Sequence, residues 1–189
     1  VVLDIVVDDA LADIVAGRFD AGIRVGGRLE KDMIAVRITA DQRIAVVGSP
    51  SYFAGRTEPK NPQDLLSHNC INLRLSSEGG LLPWDFQKGK KIVKIRVSGQ
   101  WIFNSSGPIL TAALAGQGLA FLHEEMVQQY LTSGELVRVL DDWCQPYAGY
   151  FLYYPNRRRT SGALSVVINA LRHNGPGAYS SKRKVMSTL

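Results

Sequence analysis

Three small polar residues, Asn104, Ser105 and Ser106, separate an alternating strand pattern from an Ala/Leu-rich helical pattern in "QWIFNSSGPILTAALAG". Hydroxyl and amide groups at a helix start can cap the free N–H groups of the first turn. They can also join those N–H groups in holding an anion near the positive end of the helix dipole. Capping is the commonest role of one such residue, yet one cap does not explain three. The residues alone leave both roles open.

Two arginines follow predicted strands and have groups suited to an anionic ligand. Arg74 ends the strand pattern in "CINLRL", and Arg24 ends the one in "DAGIRVGG". A guanidinium pairs bidentately with a carboxylate. A solvated loop arginine is an equally good interpretation of Arg74, and alternation could point Arg24 at solvent or at Asp20.

Two glycines are further candidates for contact with a ligand. Gly26 lies next to Arg24, and Gly118 lies just beyond the predicted helix. Because glycine has no side chain, a backbone can approach a ligand closely there. A tight turn alone would also explain Gly26.

The sequence lacks the motifs of the common catalytic classes. It contains no GxSxG, Walker or HExxH sequence, and His68, His123 and His173 are interpreted as cap or surface residues. Cys70 and Cys144 lie far apart without a CxxC motif, so we expect two reduced thiols. We therefore expect no enzyme, no metal and no cofactor.

The composition is that of a soluble globular protein with one large domain or two small lobes. The 189 residues are 46% hydrophobic and 21% charged, with a net charge of +5. Three of the positive charges, Lys182, Arg183 and Lys184, lie in a tail without acids, so the remainder is too mildly basic to indicate a DNA-binding face. Because no apolar run reaches the roughly 18 residues of a membrane span and no signal peptide is recognised, we expect a cytoplasmic protein.

The hydrophobic periodicity predicts an α/β chain. Val1 to Val7 is predicted as a buried strand, Asp8 or Asp9 to Ala16 as a helix and Asp20 to Val25 as a second strand, a β-α-β unit that implies a parallel sheet. Short helical turns are predicted to start at Ser49 and Asn61. Further strands are predicted at 33–39, 43–47, 70–73, 84–86, 92–102, 118–122, 135–140 and 149–155, and helices at 108–115, 124–134 and 160–172.

A change of composition near Gly48 indicates a boundary between two lobes. The last predicted helix has no later element to pack on, so the simplest topology returns the chain to the first lobe. We predict a first lobe at 1–48 and 150–173, a second lobe at 49–149 and a flexible tail at 174–189, with two strands crossing between the lobes. Because the chain opens on a β-branched run without a cap or Met, we expect it to be a fragment.

Four segments in order resemble the effector-binding domain of LysR-type transcriptional regulators. They cover nearly all of the chain to about His173 and read "LADIVAGRFDAGIRVG", "VVGSPSYFAGRTEPKNPQDLLSHNCI", "ILTAALAGQGLAFLHEEMVQQYLTSGELVRVLDDW" and "YYPNRRRTSGALSVVINALR". The resemblance implies a type 2 periplasmic-binding-protein-like fold, two Rossmann-like lobes with a cleft for a small molecule. The sequence departs from the family in lacking the winged helix-turn-helix domain and the first strand and helix of the effector domain, and in having His123 where the family usually has proline.

The resemblance also implies which residues bind the effector. In the family, the turn between strand and helix faces the cleft, which favours ligand contact over capping at Asn104 to Ser106. We predict a small organic, anionic effector. The predicted effector-binding residues are Asn104, Ser105, Ser106, Arg74, Arg24, Gly26 and Gly118.

The resemblance further implies that the full-length protein is a homodimer or homotetramer that binds DNA only through its N-terminal domain. The candidate dimer surfaces are the first strand, with Leu3, Ile5 and Val7, and the helix after Pro108, with Ile109, Leu110 and Ala113. A solute-binding protein of a transporter, which would share the fold, is the alternative.

Overall fold

The computed structural model describes residues 2–7, 14–26, 32–75, 80–156 and 161–173. Among these residues no helix has the length and apolar character that crossing a membrane requires. The strands are β1 Gly22–Val25, β2 Met33–Arg37, β3 Ile44–Gly48, β4 Asn72–Leu73, β5 Trp84–Lys88, β6 Lys91–Ile95, β7 Ile102–Phe103, β8 Ala120–His123, β9 Val137–Val139 and β10 Tyr150–Pro155. The helices are α1 Pro50–Phe53, α2 Ser106–Leu114, α3 Glu124–Ser133 and α4 Gly162–Leu171, with 3₁₀ helices at Pro62–Ser67 and Asp141–Trp143.

The chain divides into two compact units. From residue 14 onward, it passes from the first unit to the second between Gln42 and Arg43 and returns between Pro146 and Tyr147, whereas residues 4–7 are grouped with the second unit. Each of these passages between units lies a few residues before the boundary predicted from the sequence. The physical reason at the first passage is that β3, assigned by the sequence to the first lobe, pairs with β8 and β9 of the second unit.

The first unit contains a three-stranded antiparallel sheet in the order β1-β10-β2. Helix α4 packs on this sheet, and the unit's core includes Val36, Leu152 and Ile168. Leu164 and Val167 pack against the same core, as expected for the apolar face of an amphipathic helix. Ser161 caps α4, because its Oγ accepts a hydrogen bond from the N–H of Leu164 at 3.1 Å.

The N-terminal prediction is wrong where the structure describes it. Residues 2–7 have no regular secondary structure and are exposed, Val7 by 91% of its surface. A β-branched run forms a buried strand only when another strand supplies hydrogen-bond partners, and β1 pairs with β10 instead. The predicted helix lies mostly outside the described residues, since 8–13 are not among them.

The predicted parallel sheet of the first lobe is also wrong within the described residues. Both strand pairs of the first unit are antiparallel, and so are both pairs made by β3 in the second unit. Among the named strands, only β4 and β7 pair in parallel. The early β-α-β pattern therefore did not indicate how the strands pair.

Strand β3 is the centre of the second unit, between β8 and β9. Successive side chains of a strand point to opposite faces. Val46 accordingly packs into a cluster with Trp84, Phe86 and Trp143, whereas Ala45 and Val47 belong to the cluster on the other face. Because both faces are covered, β3 is apolar almost throughout, as expected for a fully buried strand.

Helix α2 covers the second of these faces. Ile109 and Ala113, one turn apart, are 2% and 0% exposed and belong to the cluster of Ala45 and Val47. The prediction that these two residues belong to a dimer surface is therefore wrong, because their side chains already pack in the core. Leu110 is only half-buried.

Several predicted helix ends are confirmed. Ser49 precedes α1 and accepts from the N–H of Tyr52 at 3.2 Å, and Asn61 opens the first 3₁₀ helix with a reciprocal cap involving Asp64. Helix α3 ends at Gly134, whose φ of 80° is in the left-handed region that glycine adopts without strain. These signals all act within a few residues of the chain.

Two arginines and two carboxylates tie together the elements around α3. Arg138 on β9 pairs with Glu124 at the start of α3 and with Asp141 at 2.8 Å. Arg43 pairs with Asp141 at 2.9 Å and donates through Nε to the carbonyl of Cys144 at 2.6 Å. Hydrogen bonding to Arg138 and the charge of Arg43 lower the pKa of the Asp141 carboxyl. This network holds the second 3₁₀ helix against β9 and α3.

We predict that both cysteines react with thiol reagents only when the protein unfolds. Cys70 and Cys144 are free and buried, and burial raises their pKa values to about 12 and about 11. Since the thiolate is the nucleophile, neither thiol should react near pH 8. The rate of labelling by Ellman's reagent, monitored by absorbance with and without guanidinium, measures the reactivity of the thiols. Rapid labelling of a native thiol would contradict the prediction.

A hydrogen-bonded pair of rings lies at the end of the first 3₁₀ helix. The Tyr52 hydroxyl accepts the N–H of Asn69 at 3.0 Å and lies 3.1 Å from Nδ1 of His68. One of these two atoms donates to the other, and which one does so depends on the tautomer of His68. Burial lowers the pKa of His68 from 6.5.

We therefore predict that His68 makes the protein less stable as the pH falls from 7 to 5. The unfolded histidine binds a proton below about pH 6.5, whereas the folded one resists it, so the stabilisation is present above that pH and is lost on acidification. Urea unfolding at both pH values should show a smaller pH effect for His68→Gln than for the wild type. An equal pH effect in both proteins would rule out this role.

Candidate functional site

The carboxyl ends of two parallel strands bring predicted site residues together in the second unit. Strand β4 pairs with β7 so that Asn72 faces Ile102 and Leu73 faces Phe103. The N–H of Arg74 donates to the carbonyl of Phe103 at 2.7 Å, which extends the ladder by one step. Arg74 therefore lies beside the backbone that leads into Asn104. Parallel strands end at the same edge, where α/β folds commonly bind ligands.

Helix α2 begins at this edge without a side-chain cap. Ser105 is its N-cap residue, in an extended conformation with φ of −151° and ψ of 155°, and makes no capping hydrogen bond among the described residues. Pro108 has no N–H, so the donors of the first turn are those of Ser106 and Gly107. No described atom would lie within 4 Å of a Cβ added at Gly107, so the space beside these donors is open.

The four residues at this edge are accessible to a ligand. Arg74, Asn104 and Ser105 are exposed, and Ser106 is half-buried. Together they present a guanidinium, an amide, two hydroxyls and the positive end of a helix dipole. This combination suits a small anion such as a carboxylate.

Arg24 and Gly26 belong to the first unit and have different surroundings. Arg24 lies on β1 opposite Phe151 of β10 and is half-buried. A Cβ added at Gly26 would lie 2.2 Å from the ring of Phe151, so this ring requires a glycine there. Packing therefore explains Gly26 without a ligand, and effector binding by either residue stays a prediction.

Gly118 lies beyond the opposite end of α2 from Ser106. It is buried with φ of 156°, and an added Cβ would lie 2.6 Å from the carbonyl oxygen of Asn69. The N–H of Leu119 donates to that same carbonyl at 2.9 Å. Close backbone packing explains this glycine as well, and its predicted contact with an effector stays a prediction.

Sequence reasoning missed Asn72, the buried polar residue of β4. It is 1% exposed, and its Oδ1 has no hydrogen-bond partner among the described residues. The only signal in the sequence is an amide within the apolar run "CINL". Buried amides without a full set of partners are rare, so Asn72 requires an explanation.

Metal chemistry has no support in the described part of the chain. No group of three or more His, Cys, Asp or Glu side chains is arranged there to hold a metal ion.

Comparisons with known proteins agree on one family. The family model described as "LysR substrate binding domain" matches residues 1–176. A "Putative transcriptional regulator" of Pseudomonas aeruginosa is 54% identical over 164 residues, which cover 87% of this chain and 54% of the relative. The "HTH-type transcriptional regulator PgrR" of Escherichia coli is 40% identical over 173 residues, which cover 92% of this chain and 58% of the relative. The chain thus spans little more than half the length of these relatives.

Solved structures support the fold. The regulatory domain of AphB from Vibrio vulnificus superposes with a TM-score of 0.68 at 23% identity, covering 82% of this chain and 76% of that one. CrgA, a LysR-type transcriptional regulator from Neisseria meningitidis, gives a TM-score of 0.64 at 19% identity, covering 84% of this chain and 54% of that one. At these identities the likeness is one of fold, and the predicted two-lobed periplasmic-binding-protein-like fold is confirmed.

We predict that Ser105→Ala leaves the stability of the unliganded protein nearly unchanged. The Ser105 side chain makes no capping hydrogen bond, so the free energy of unfolding should fall by less than about 0.5 kcal/mol. Ser161→Ala is the matched control, because Ser161 caps a helix of similar length and its loss should cost about 1 kcal/mol. Urea unfolding measures both values. Equal losses would show that Ser105 is an ordinary cap.

Proposed function

Because the chain belongs to the LysR substrate-binding domain family, we propose that it is the effector-sensing part of a longer transcriptional regulator and that its effector is a small organic anion. The relatives are named as transcriptional regulators, and one name specifies "HTH-type". We propose that a helix-turn-helix domain in another part of the protein binds the DNA. Such a regulator would work in the cytoplasm, where the DNA is.

The observation that carries the proposal is that strand pairing places Arg74 beside the backbone that leads into α2. The Arg74 N–H bonds to Phe103, and Asn104 to Ser106 follow directly. A carboxylate bound by the guanidinium would also lie near the first-turn N–H groups of α2, which the Ser105 side chain leaves uncapped. The positive charge of the guanidinium and the positive end of the helix dipole would then both stabilise one bound anion.

A bound effector can change DNA binding only if it prefers one conformation of the protein over another. Beyond residue 14, the chain passes between its two compact units at Gln42/Arg43 and at Pro146/Tyr147. We propose that the effector shifts the equilibrium between two arrangements of these units. A dimer would pass that shift on to the DNA-binding domains.

The burial of Ile109 and Ala113 leaves Leu110 as the remaining predicted dimer contact on α2. Leu110 is half-buried and packs partly against the same core. Leu3, Ile5 and Val7 are exposed by 59%, 76% and 91%. Exposed apolar residues in such number favour association with another surface. We propose that these three residues and Leu110 contribute to the dimer.

The alternatives lack support from the relatives. A transporter's solute-binding protein would share the fold, but the names of the relatives indicate regulation of transcription. The same names argue against an enzyme, and we propose that the domain has no catalytic activity.

We predict that a carboxylate effector raises the melting temperature of the complete protein and that Arg74→Ala abolishes this shift. A ligand at about 100 times its dissociation constant stabilises the folded state by about 2.7 kcal/mol, or several degrees for a domain of this size. Thermal unfolding in a panel of small carboxylates, phenols and amino acids measures the shift.

Two further variants show where the ligand binds. Ser105→Ala should reduce the shift, whereas Arg96→Ala, which removes an exposed arginine outside the proposed site, should preserve it. If a carboxylate stabilises the Arg74 and Ser105 variants as much as the wild type, the proposed site is wrong. If no carboxylate of the panel has any effect while a neutral compound does, the anionic effector is wrong.

A further inference from the structure

Asn72 has a hydrogen-bond acceptor that nothing described in the protein uses. Its Nδ2 donates to the carbonyl of Cys70 at 3.3 Å, which fixes the orientation of the amide. Its Oδ1 is buried and has no partner among the described residues. Such an acceptor destabilises a protein unless something supplies a donor.

The position of Asn72 relates this acceptor to the candidate site. Leu73 packs on the side of β4 that α2 covers, with Ile109 and Ala113. Because side chains alternate along a strand, Asn72 and Arg74 both lie on the other side. Asn72 is thus the next side chain inward from Arg74 on the same strand face.

Two apolar residues flank this pair on the neighbouring strands. Ile102 lies opposite Asn72 and is 43% exposed, and Leu81 lies opposite Arg74 and is 37% exposed. Cross-strand partners point to the same side of a sheet. The strand face therefore presents a guanidinium at its exposed end, an unused acceptor farther in and accessible apolar surface beside them.

We propose that Asn72 determines which effector is bound, by accepting a hydrogen bond from a hydroxyl or amino group beside the carboxylate that Arg74 holds. The effector class is then a 2-hydroxy or 2-amino carboxylate with an apolar substituent. The inference rests on the proposed function, because it takes Arg74 as the carboxylate partner. Residues two apart on a strand are about 6.6 Å apart, so a donor on the carbon next to the carboxylate matches the short distance between the two side chains.

The experiment compares carboxylates that differ by a single hydroxyl group. Mandelate and phenylacetate form one pair, and lactate and propionate form another. Calorimetric titration of the complete protein gives a dissociation constant for each. The wild type should bind the hydroxylated member of a pair at least tenfold more tightly, because only that member supplies the donor that Oδ1 lacks in the empty protein.

Variants assign that preference to a residue. In Asn72→Leu the ratio within a pair should fall to about one, while phenylacetate keeps its affinity within a few-fold. In Arg74→Ala both members should weaken together, because both carry the carboxylate. Arg96→Ala is the matched control and should change neither constant. Should Asn72→Leu fail to fold, the ratio is measured in Asn72→Ala, which also removes Oδ1.

Three results would overturn the inference. Equal wild-type affinity within both pairs would show that Oδ1 receives its donor from elsewhere, such as a buried water, while carboxylate binding at Arg74 and the proposed function survive. A preference that persists in Asn72→Leu would assign the hydroxyl to another residue. Failure of all four acids to bind removes the proposed effector class, and the wider panel of carboxylates then tests the proposed function separately.

Discussion

The candidate site depends on the parallel pairing of β4 with β7, and a few tight contacts hold these strands in register. Asn69, just before β4, donates to the carbonyl of Gln117 at 2.5 Å and accepts from the N–H of Gln100 at 3.0 Å. At Gly99 a Cβ would lie 1.9 Å from the carbonyl oxygen of Cys70, so the backbones meet where no side chain fits. A shift of β4 by one residue would move Arg74 away from the start of α2 and reverse the faces of that strand.

Helix α2 is stabilised by the packing of its apolar face and not by a side-chain cap at its first turn. Most of the stability of a helix in a protein comes from packing an apolar face, and here Ile109 and Ala113 supply that face in the core of the second unit. The first turn consequently does not need Ser105 as a cap. Under the proposed function, stability and ligand recognition fall to different residues of the same helix, so the polar residues at its start could change with the ligand while the packing remains.

Features that depend on interactions between residues close in the sequence could be predicted, whereas features that depend on pairing between distant segments could not. The starts at Ser49 and Asn61 are determined by contacts within three residues, so the local pattern was sufficient. The segment 2–7 was wrongly predicted as a strand, because strand formation depends on a partner that local periodicity does not reveal. The residue types identified Arg74 and Asn104 as two separate candidates. Their proximity depends on the pairing of β4 with β7, which joins distant segments of the chain.

Two incomplete sets of hydrogen bonds occur at the same end of the same two strands. The first turn of α2 has donors that the Ser105 side chain does not cap, and Asn72 has an acceptor that no described residue uses. The helix start lacks an acceptor, whereas Asn72 lacks a donor. A ligand group that only accepts or only donates would therefore satisfy one of them and not the other. The buried acceptor of Asn72 destabilises the empty protein, so a sequence optimised for stability alone would remove it. The donors of α2 are open to water. A molecule that carries a carboxylate and a neighbouring donor supplies both missing partners, and this complementarity is the physical reason to regard the end of β4 and β7 as a binding site.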